Sequence, residues 1–271
     1  MRDAEYFDLM RWALPRMGLR WSAFRRVKRQ VCKRIRARVH ALELTDAQAY
    51  AQYLERHPDE WATLEAMCGI TISRFYRDRP VFDVLAKDVL PRLTSQLEPG
   101  ESLRVWSAGC ASGEEPYSIA LIWELEVSPR FPGRELQVIA TERNRHLLAR
   151  AAAACYRHSS LRELPAAWVA SAFTNVADGW CLDPKLLSSV TFERQDLRRT
   201  MPSGPFHVIL CRNLAFSYFE LSEQHAVQRA LVERLSSNGH LVIGLNETLP
   251  EAEQLEQLPQ SPYIHRRLCT A

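Results

Sequence analysis

Early in the chain, apolar positions recur at helical spacing. Phe24, Val27, Val31, Ile35 and Val39 fall on one stripe, three or four residues apart, as in a helix with one buried face. Arg25, Arg26, Arg29, Lys33 and Arg36 fall away from that stripe. Thr45-Asp-Ala-Gln48 reads as a capping box that opens a second helix, with Tyr50, Tyr53 and Leu54 turned inward. Pro58 ends that helix and can start a third, containing Trp61, Leu64 and Met67. The pattern predicts an all-helical domain over residues 1–79.

Beyond it the period changes. Pro80 is placed to begin a helix through Leu93, and Pro99-Gly100 turns the chain into a short apolar strand, Leu103 to Trp106. Small residues and two glycines follow, and then Ile119, Ala120, Leu121 and Trp123 return to helical spacing. Strand, turn and helix make the first half of a βαβ unit. Leu136–Glu142 reads as the second strand, Leu147–Tyr156 as a helix and Val190–Leu197 as a further strand. Phe206–Asn213 is an apolar run of the kind a parallel sheet buries on both faces. Leu241–Glu247 and Tyr263–Leu268 supply the last strands. Between Arg157 and Ser189 the periodicity fails, with Pro165 and Pro184 as breakers and Asp178-Gly179 as a turn. An α/β domain with a parallel sheet over 80–271 is the expectation.

Composition adds three constraints. Net charge is only +3, yet nine Lys and Arg and no carboxylate lie between Arg20 and Arg38. Such a cluster reads either as a solvated face or, because like charges repel and need a reason to gather, as a surface for an acidic partner; nucleic acid is a further candidate, but no aromatic residues are interleaved on that face to stack bases. Seven cysteines without a C-x-x-C pair, an odd number, argue against a disulfide framework and for a reduced, cytosolic protein. No apolar run is long enough for a membrane span, and eight histidines are scattered without ligand spacing, so neither membrane insertion nor a metal is expected.

The chemistry centres on the turn after the first strand. A dinucleotide fingerprint needs G-x-G-x-x-G, but here Gly109 and Gly113 stand four apart, and Glu114 and Glu115 occupy the helix start where phosphates would lie. No G-K-[ST] follows, which excludes a P-loop. Paired carboxylates suit a cationic ligand such as S-adenosylmethionine, with its ammonium and sulfonium; they equally complement a helix dipole. The loop alone leaves both readings open.

Trp106-Ser-Ala-Gly-Cys-Ala-Ser-Gly-Glu-Glu-Pro-Tyr-Ser118 closely resembles the cofactor loop of the CheR family, the chemotaxis-receptor glutamate methyltransferases. Thr71-Ile-Ser-Arg-Phe-Tyr-Arg-Asp78 resembles the family's T-x-F-F-R-[DE] signature, with Ser73 for the usual Thr, and Cys211-Arg-Asn213 its hallmark after the central strand. The resemblance runs in order along nearly the whole chain. It implies a Rossmann-like S-adenosylmethionine-dependent methyltransferase fold, with a short β-subdomain over 157–189 and an N-terminal helical domain whose basic helix faces an acidic chemoreceptor helix bundle through Arg25, Arg29, Lys33 and Arg36. It implies a cofactor site of Ser73, Arg77, Gly109, Glu115, Glu142, Asp196, Leu197 and Asn213. Glu142 stands where the family usually has Asp, and would bind the ribose hydroxyls. Asp196 would accept from the adenine amino group, and Leu197 would contact the ring. Arg77, Arg212 and Tyr218 are the candidates for holding a substrate carboxylate. Leu214–Glu220 runs one residue longer than the family's segment before Tyr218, and Ala154 takes a conventional glycine position. The implied reaction is methyl-ester formation on receptor glutamates. The rival readings are methylation of a different carboxylate, and a non-catalytic module that binds the cofactor to regulate a partner.

Overall fold

The computed structural model describes residues 2–25, 27–69, 72–251 and 253–268. Arg26 of the basic face and Thr71 of the signature lie outside the described residues. The chain divides into two compact units: Met1–Ile72 with Ser217–Glu223, and Ser73–Phe216 with Gln224–Ala271. The division therefore falls at Ser73 rather than after residue 79, because Phe75 and Tyr76 are buried in the core of the second unit.

The helical unit holds α1 (Arg2–Arg16), α2 (Lys28–Ala41), α3 (Ala47–Arg56) and α4 (Glu60–Cys68). Met10, Leu14, Phe24, Val31, Ile35, Tyr50, Leu54 and Leu64 form its buried interior. The cap of α3 sits one residue later than the capping-box pattern predicts: Asp46 accepts from the Ala49 N–H at 2.8 Å, and Thr45 donates to Asp46. Arg38 makes a two-pronged ion pair with Glu60 at 2.9 and 2.7 Å, and the buried Tyr50 hydroxyl donates to the same carboxylate at 2.8 Å. Ser217–Glu223 joins this unit by strand-like pairing. The Arg20 N–H donates to the Tyr218 carbonyl and the Glu220 N–H to the Gly18 carbonyl, each at 2.8 Å.

The second unit opens with a continuous helical run: α5 (Arg79–Val84), a π turn (Leu85–Val89) and α6 (Leu90–Ser95). It continues with β1 (Leu103–Ala108), α7 (Glu114–Ile122), β2 (Leu136–Glu142), α8 (Arg145–Ala153), β3 (Cys155–Tyr156), α9 (His158–Leu161), α10 (Ala166–Ala172), β4 (Phe173–Val176) and β5 (Gly179–Leu182). Then come α11 (Pro184–Leu187), β6 (Val190–Arg194), β7 (Phe206–Leu210), α12 (Ala215–Tyr218), α13 (Leu221–Glu233), β8 (Leu235–Val242), β9 (Leu255–Leu258) and β10 (Ser261–Arg267). α12 and α13 each cross the division between units.

Among the described residues one sheet has seven strands in the order β6-β2-β1-β7-β8-β10-β9. The first five run parallel, and β10 and β9 add antiparallel. Val105, Trp106, Val208, Ile209 and Leu210 are buried, as the apolar runs require of strands covered on both faces. From β1 the chain builds outward through β2 to β6, then returns to lay β7 on the other side of β1. That reversal makes a topological switch point at the carboxyl ends of β1 and β7, where open α/β sheets bind ligands. The late strand ends at Val242, earlier than the sequence pattern predicts, and Gly244–Glu247 turns back toward Asn213.

β3, β5 and β4 form a second, antiparallel sheet, the β-subdomain. It begins before residue 157, because α8 ends at Ala153 and the left-handed φ of +49° at Ala154 stops the helix. The expectation of no disulfide is corrected here. Register sets Cys155 opposite Cys181, and the two are bonded with Cα atoms 4.0 Å apart. A 26-residue separation carries no sequence signal of that pairing. Cys32, Cys68, Cys110 and Cys211 are buried thiols outside any disulfide; Cys269 lies outside the described residues.

Candidate active site

The β1–α7 loop is held from below by β2. The N–H groups of Gly109 and Cys110 both donate to the Thr141 carbonyl, at 2.8 and 2.9 Å. Gly109 has φ +79°, and a Cβ there would lie 2.3 Å from Leu214 Cδ2, so the loop after β7 packs against the glycine itself. Gly113 caps α7 at φ +91°, and its Cβ would meet Ala151 at 2.9 Å and the Tyr156 hydroxyl at 3.0 Å. Both glycines are thus required by neighbouring protein.

The paired glutamates divide their tasks. Glu114 is 2% exposed and accepts from the Ser112 hydroxyl at 3.2 and 2.9 Å. Glu115 accepts from Ser107 at 2.7 Å and from Arg212 Nη1 at 2.9 Å. Arg212, with a side chain 2% exposed, also pairs with Asp78 at 2.7 Å and donates to the Arg77 carbonyl at 2.8 Å. Its guanidinium carbon lies 5.0 Å from the centroid of the Phe82 ring. Two carboxylates and a carbonyl therefore converge on this cation, and a buried arginine needs such partners. Asp78, the last residue of the signature, is thus engaged by Arg212.

Arg77 is half-buried and reaches Asn213 Oδ1 from Nη2 at 3.3 Å. Asn213 has φ +55°, and its N–H donates to Glu247 at 2.8 Å. Glu247, 4% exposed, also collects the N–H groups of Leu214 and Gly244, at 3.1 and 2.7 Å. It fixes the turn after β7 to the turn after β8. The G-x-x-E spacing was the available sequence signal for it, but the role emerges only when the two turns meet.

Glu142 closes β2. Its oxygens take the Asn144 N–H at 2.9 Å and the Ala111 N–H at 3.3 Å. Burial pushes its carboxyl up, against those backbone donors, which pull it down. Asp196, just past β6, accepts from the Arg198 backbone at 3.0 Å and from its guanidinium at 3.2 and 3.3 Å. Burial alone would raise the Asp196 carboxyl, but Arg198 outweighs it and holds the group below the usual range. Leu197 beside it is buried. Ser73 is half-buried at the start of the same unit. The segment after it is tied to α7, the Tyr76 N–H donating to Ser118 Oγ at 2.8 Å. Tyr76, Asp78, Ala111 and Asn213 all hold left-handed φ without being glycine, local strain gathered around one set of turns.

This unit thus carries Glu115, Glu142, Asp196, Arg212 and Asn213 at or just past the carboxyl ends of its parallel strands, with Arg77 on the segment before α5. Tyr218 belongs to the helical unit, where its ring packs 5.4 Å from Phe24. In that unit Arg25, Arg29 and Lys33 are exposed, while Arg36 lies half-buried over the Tyr6 ring at 5.0 Å. Arg34 and Arg38 serve internally, Arg34 donating to the Met67 and Gly69 carbonyls at 2.8 and 2.7 Å.

S-adenosylmethionine is a cation with vicinal ribose hydroxyls, and the donor set of the second unit fits it. Carboxylates dominate the turns at the switch point, and an acid closes β2, where Rossmann sheets bind a ribose.

Comparison with known proteins gives the same direction. A family model described as "CheR methyltransferase, SAM binding domain" matches residues 71–264. A chemotaxis protein methyltransferase of Listeria monocytogenes is 36% identical over 184 residues, covering 68% of each chain. One from Escherichia coli is 30% identical over 263 residues, covering 94% of this chain and 87% of that protein. A 104.1 kDa protein of the hypE 3′ region in Rhodobacter capsulatus is 28% identical over 225 residues, or 82% of this chain, which spans 23% of that protein's length.

Proposed function

This chain belongs to the CheR methyltransferase family, and we propose that it forms methyl esters on glutamate carboxylates of a chemoreceptor-like protein. S-adenosylmethionine, when bound, supplies a methyl group activated by its sulfonium. Ser73, Arg77, Gly109, Glu115, Glu142, Asp196, Leu197 and Asn213 are the residues proposed to hold it. Glutamate has an ordinary pKa of about 4.3, so the acceptor arrives ionised and asks for no general base. The chain's own task is to align the anion and keep water from it, which is catalysis by proximity.

The observation that carries this reading is Arg77, half-buried beside Asn213 after β7. Its guanidinium is planar, permanently charged and matched to a carboxylate. Arg212, with Glu115 and Asp78 on it, acts in this reading as a positioning residue for Glu115 rather than as a second clamp. Tyr218 is retained as a proposed substrate-side hydroxyl. Arg25, Arg29 and Lys33, with Arg36 behind them, are proposed to meet an acidic receptor face, and the names of the Listeria and Escherichia relatives support a receptor substrate.

The test is transfer of labelled methyl groups to a chemoreceptor cytoplasmic fragment, followed by base. Release of the label as methanol is expected, since esters hydrolyse and N-methyl groups do not. A base-stable label, or label only on small molecules, would redirect the assignment to another acceptor. The longer segment before Tyr218 is the feature that favours a different carboxylate.

A further inference from the structure

We propose that Cys155 and Cys181 form a thiol–disulfide site that sets, through Tyr156, how firmly the methyltransferase unit holds S-adenosylmethionine. The two residues face each other across β3 and β5, bonded in the structure. Cys155 is exposed and Cys181 half-buried, so an attacking thiolate has access to the pair. Cys32, Cys68, Cys110 and Cys211 are buried, and burial pushes the thiols of Cys32, Cys110 and Cys211 up. Among the described cysteines, redox chemistry is therefore directed to this pair.

The pair matters to the cofactor because of the residue that follows it. β3 is two residues long and meets β5 at two register positions, Cys155 with Cys181 and Tyr156 with Trp180. The disulfide thus adds a covalent tie to a short strand pairing that carries Tyr156. Side chains alternate along a strand, so Tyr156 points away from the sulfurs and into the core, where it is 3% exposed. Its hydroxyl donates to the Ser112 carbonyl at 2.8 Å. Ser112 lies between Ala111, whose N–H reaches Glu142, and Gly113, which admits the tyrosine only because it has no Cβ. The ring is also held edge-on by Phe75 at 4.8 Å, two residues before Arg77. Tyr156 is accordingly a positioning residue for the cofactor loop.

Glutathione disulfide is the oxidant this site would meet. One cysteine thiolate attacks it and expels a glutathione thiolate, leaving a mixed disulfide. The second cysteine thiolate attacks the protein sulfur of that bond, closes Cys155–Cys181 and expels the second glutathione. Two electrons pass to glutathione, and the two cysteine protons end on its thiols. Reduction by glutathione runs the same steps backward and releases β3 from its covalent tie.

The test equilibrates the full chain in oxidised or reduced glutathione, maps the cysteines by peptide mass, and measures S-adenosylhomocysteine affinity by calorimetry. Oxidised wild type should bind about three- to tenfold more tightly than reduced, the scale of one net hydrogen bond. Cys181→Ser should bind like reduced protein in both buffers. Tyr156→Phe should bind weakly and lose most of the redox difference while still forming the disulfide, an outcome a merely stabilising staple would not produce. Equal affinity of oxidised and reduced wild type, failure of the pair to oxidise, or a full redox difference surviving in Tyr156→Phe would each overturn the proposal.

Discussion

Arg77 and Arg212 illustrate how two arginines of one site come to differ. Arg212 is buried with two carboxylates on it, so any truncation leaves those acids unpaired and disturbs the turns that carry them. Arg77 donates to the Asn213 side-chain oxygen, and its guanidinium is the one read as facing substrate. Arg77→Lys keeps the charge, and so most of its part in holding the cofactor, but loses the planar fork; methyl transfer should fall by one to two decades, about 1.5–3 kcal/mol, and S-adenosylhomocysteine affinity by much less. Parallel losses in rate and affinity would assign Arg77 to the cofactor pocket alone. Glu142→Ala should act the other way. It removes the acceptor at the end of β2 and should weaken S-adenosylhomocysteine binding by about 1–3 kcal/mol by calorimetry.

At the scale of the element, α2 carries two kinds of cation that the sequence pattern does not separate. Arg34 and Arg38 satisfy carbonyls and a carboxylate within the helical unit, while Arg29 and Lys33 are exposed, one turn apart. Reversing both, Arg29→Glu with Lys33→Glu, should slow methylation of an acidic protein acceptor and flatten its dependence on salt, without moving cofactor affinity. Unchanged kinetics at low salt would return this face to ordinary solvated surface. Glu60→Gln should instead leave methylation of a folded sample alone and destabilise the helical unit by about 1–3 kcal/mol in urea, because Arg38 and Tyr50 lose their charged acceptor.

Over the whole molecule, the two units should respond to acid in different windows. His240 on β8 is 1% exposed, and its pKa is lowered from 6.5 to about 4 by burial first, then by the charges of Arg92 and Arg266. Between those values the unfolded chain binds the proton and the folded unit does not, so stability falls as pH is lowered from 6.5 toward 4. The loss should be on the order of 3 kcal/mol, and His240→Gln should flatten it. Glu60 is shifted in the same direction but from a lower starting point: its hydrogen bonds from Arg38 hold its carboxyl below the ordinary value of 4.5. Its contribution is complete above 4.5 and is lost only as pH falls through the lower folded value. Urea melts at stepped pH should therefore detect the His240-dependent loss first.

Local pattern was enough to establish the helical stripe of α2, the strands β1, β2, β6 and β7 and the glycine turn before α7, because each is written in periodicity over a few neighbouring residues. The cofactor-loop residues and the signature around Arg77 were legible for the same reason, as contiguous motifs. What the sequence did not contain is which distant groups meet. Arg212 binds Glu115 and Asp78 across 97 and 134 residues, and the bond between Cys155 and Cys181 awaits the register of β3 on β5. Tyr218 reads as one more residue of the motif after β7, yet strand-like pairing with Gly18 and Arg20 draws its segment into the helical unit. Those pairings depend on desolvation and geometry that exist only once the sheet has closed, and there the tertiary structure decided what each side chain does.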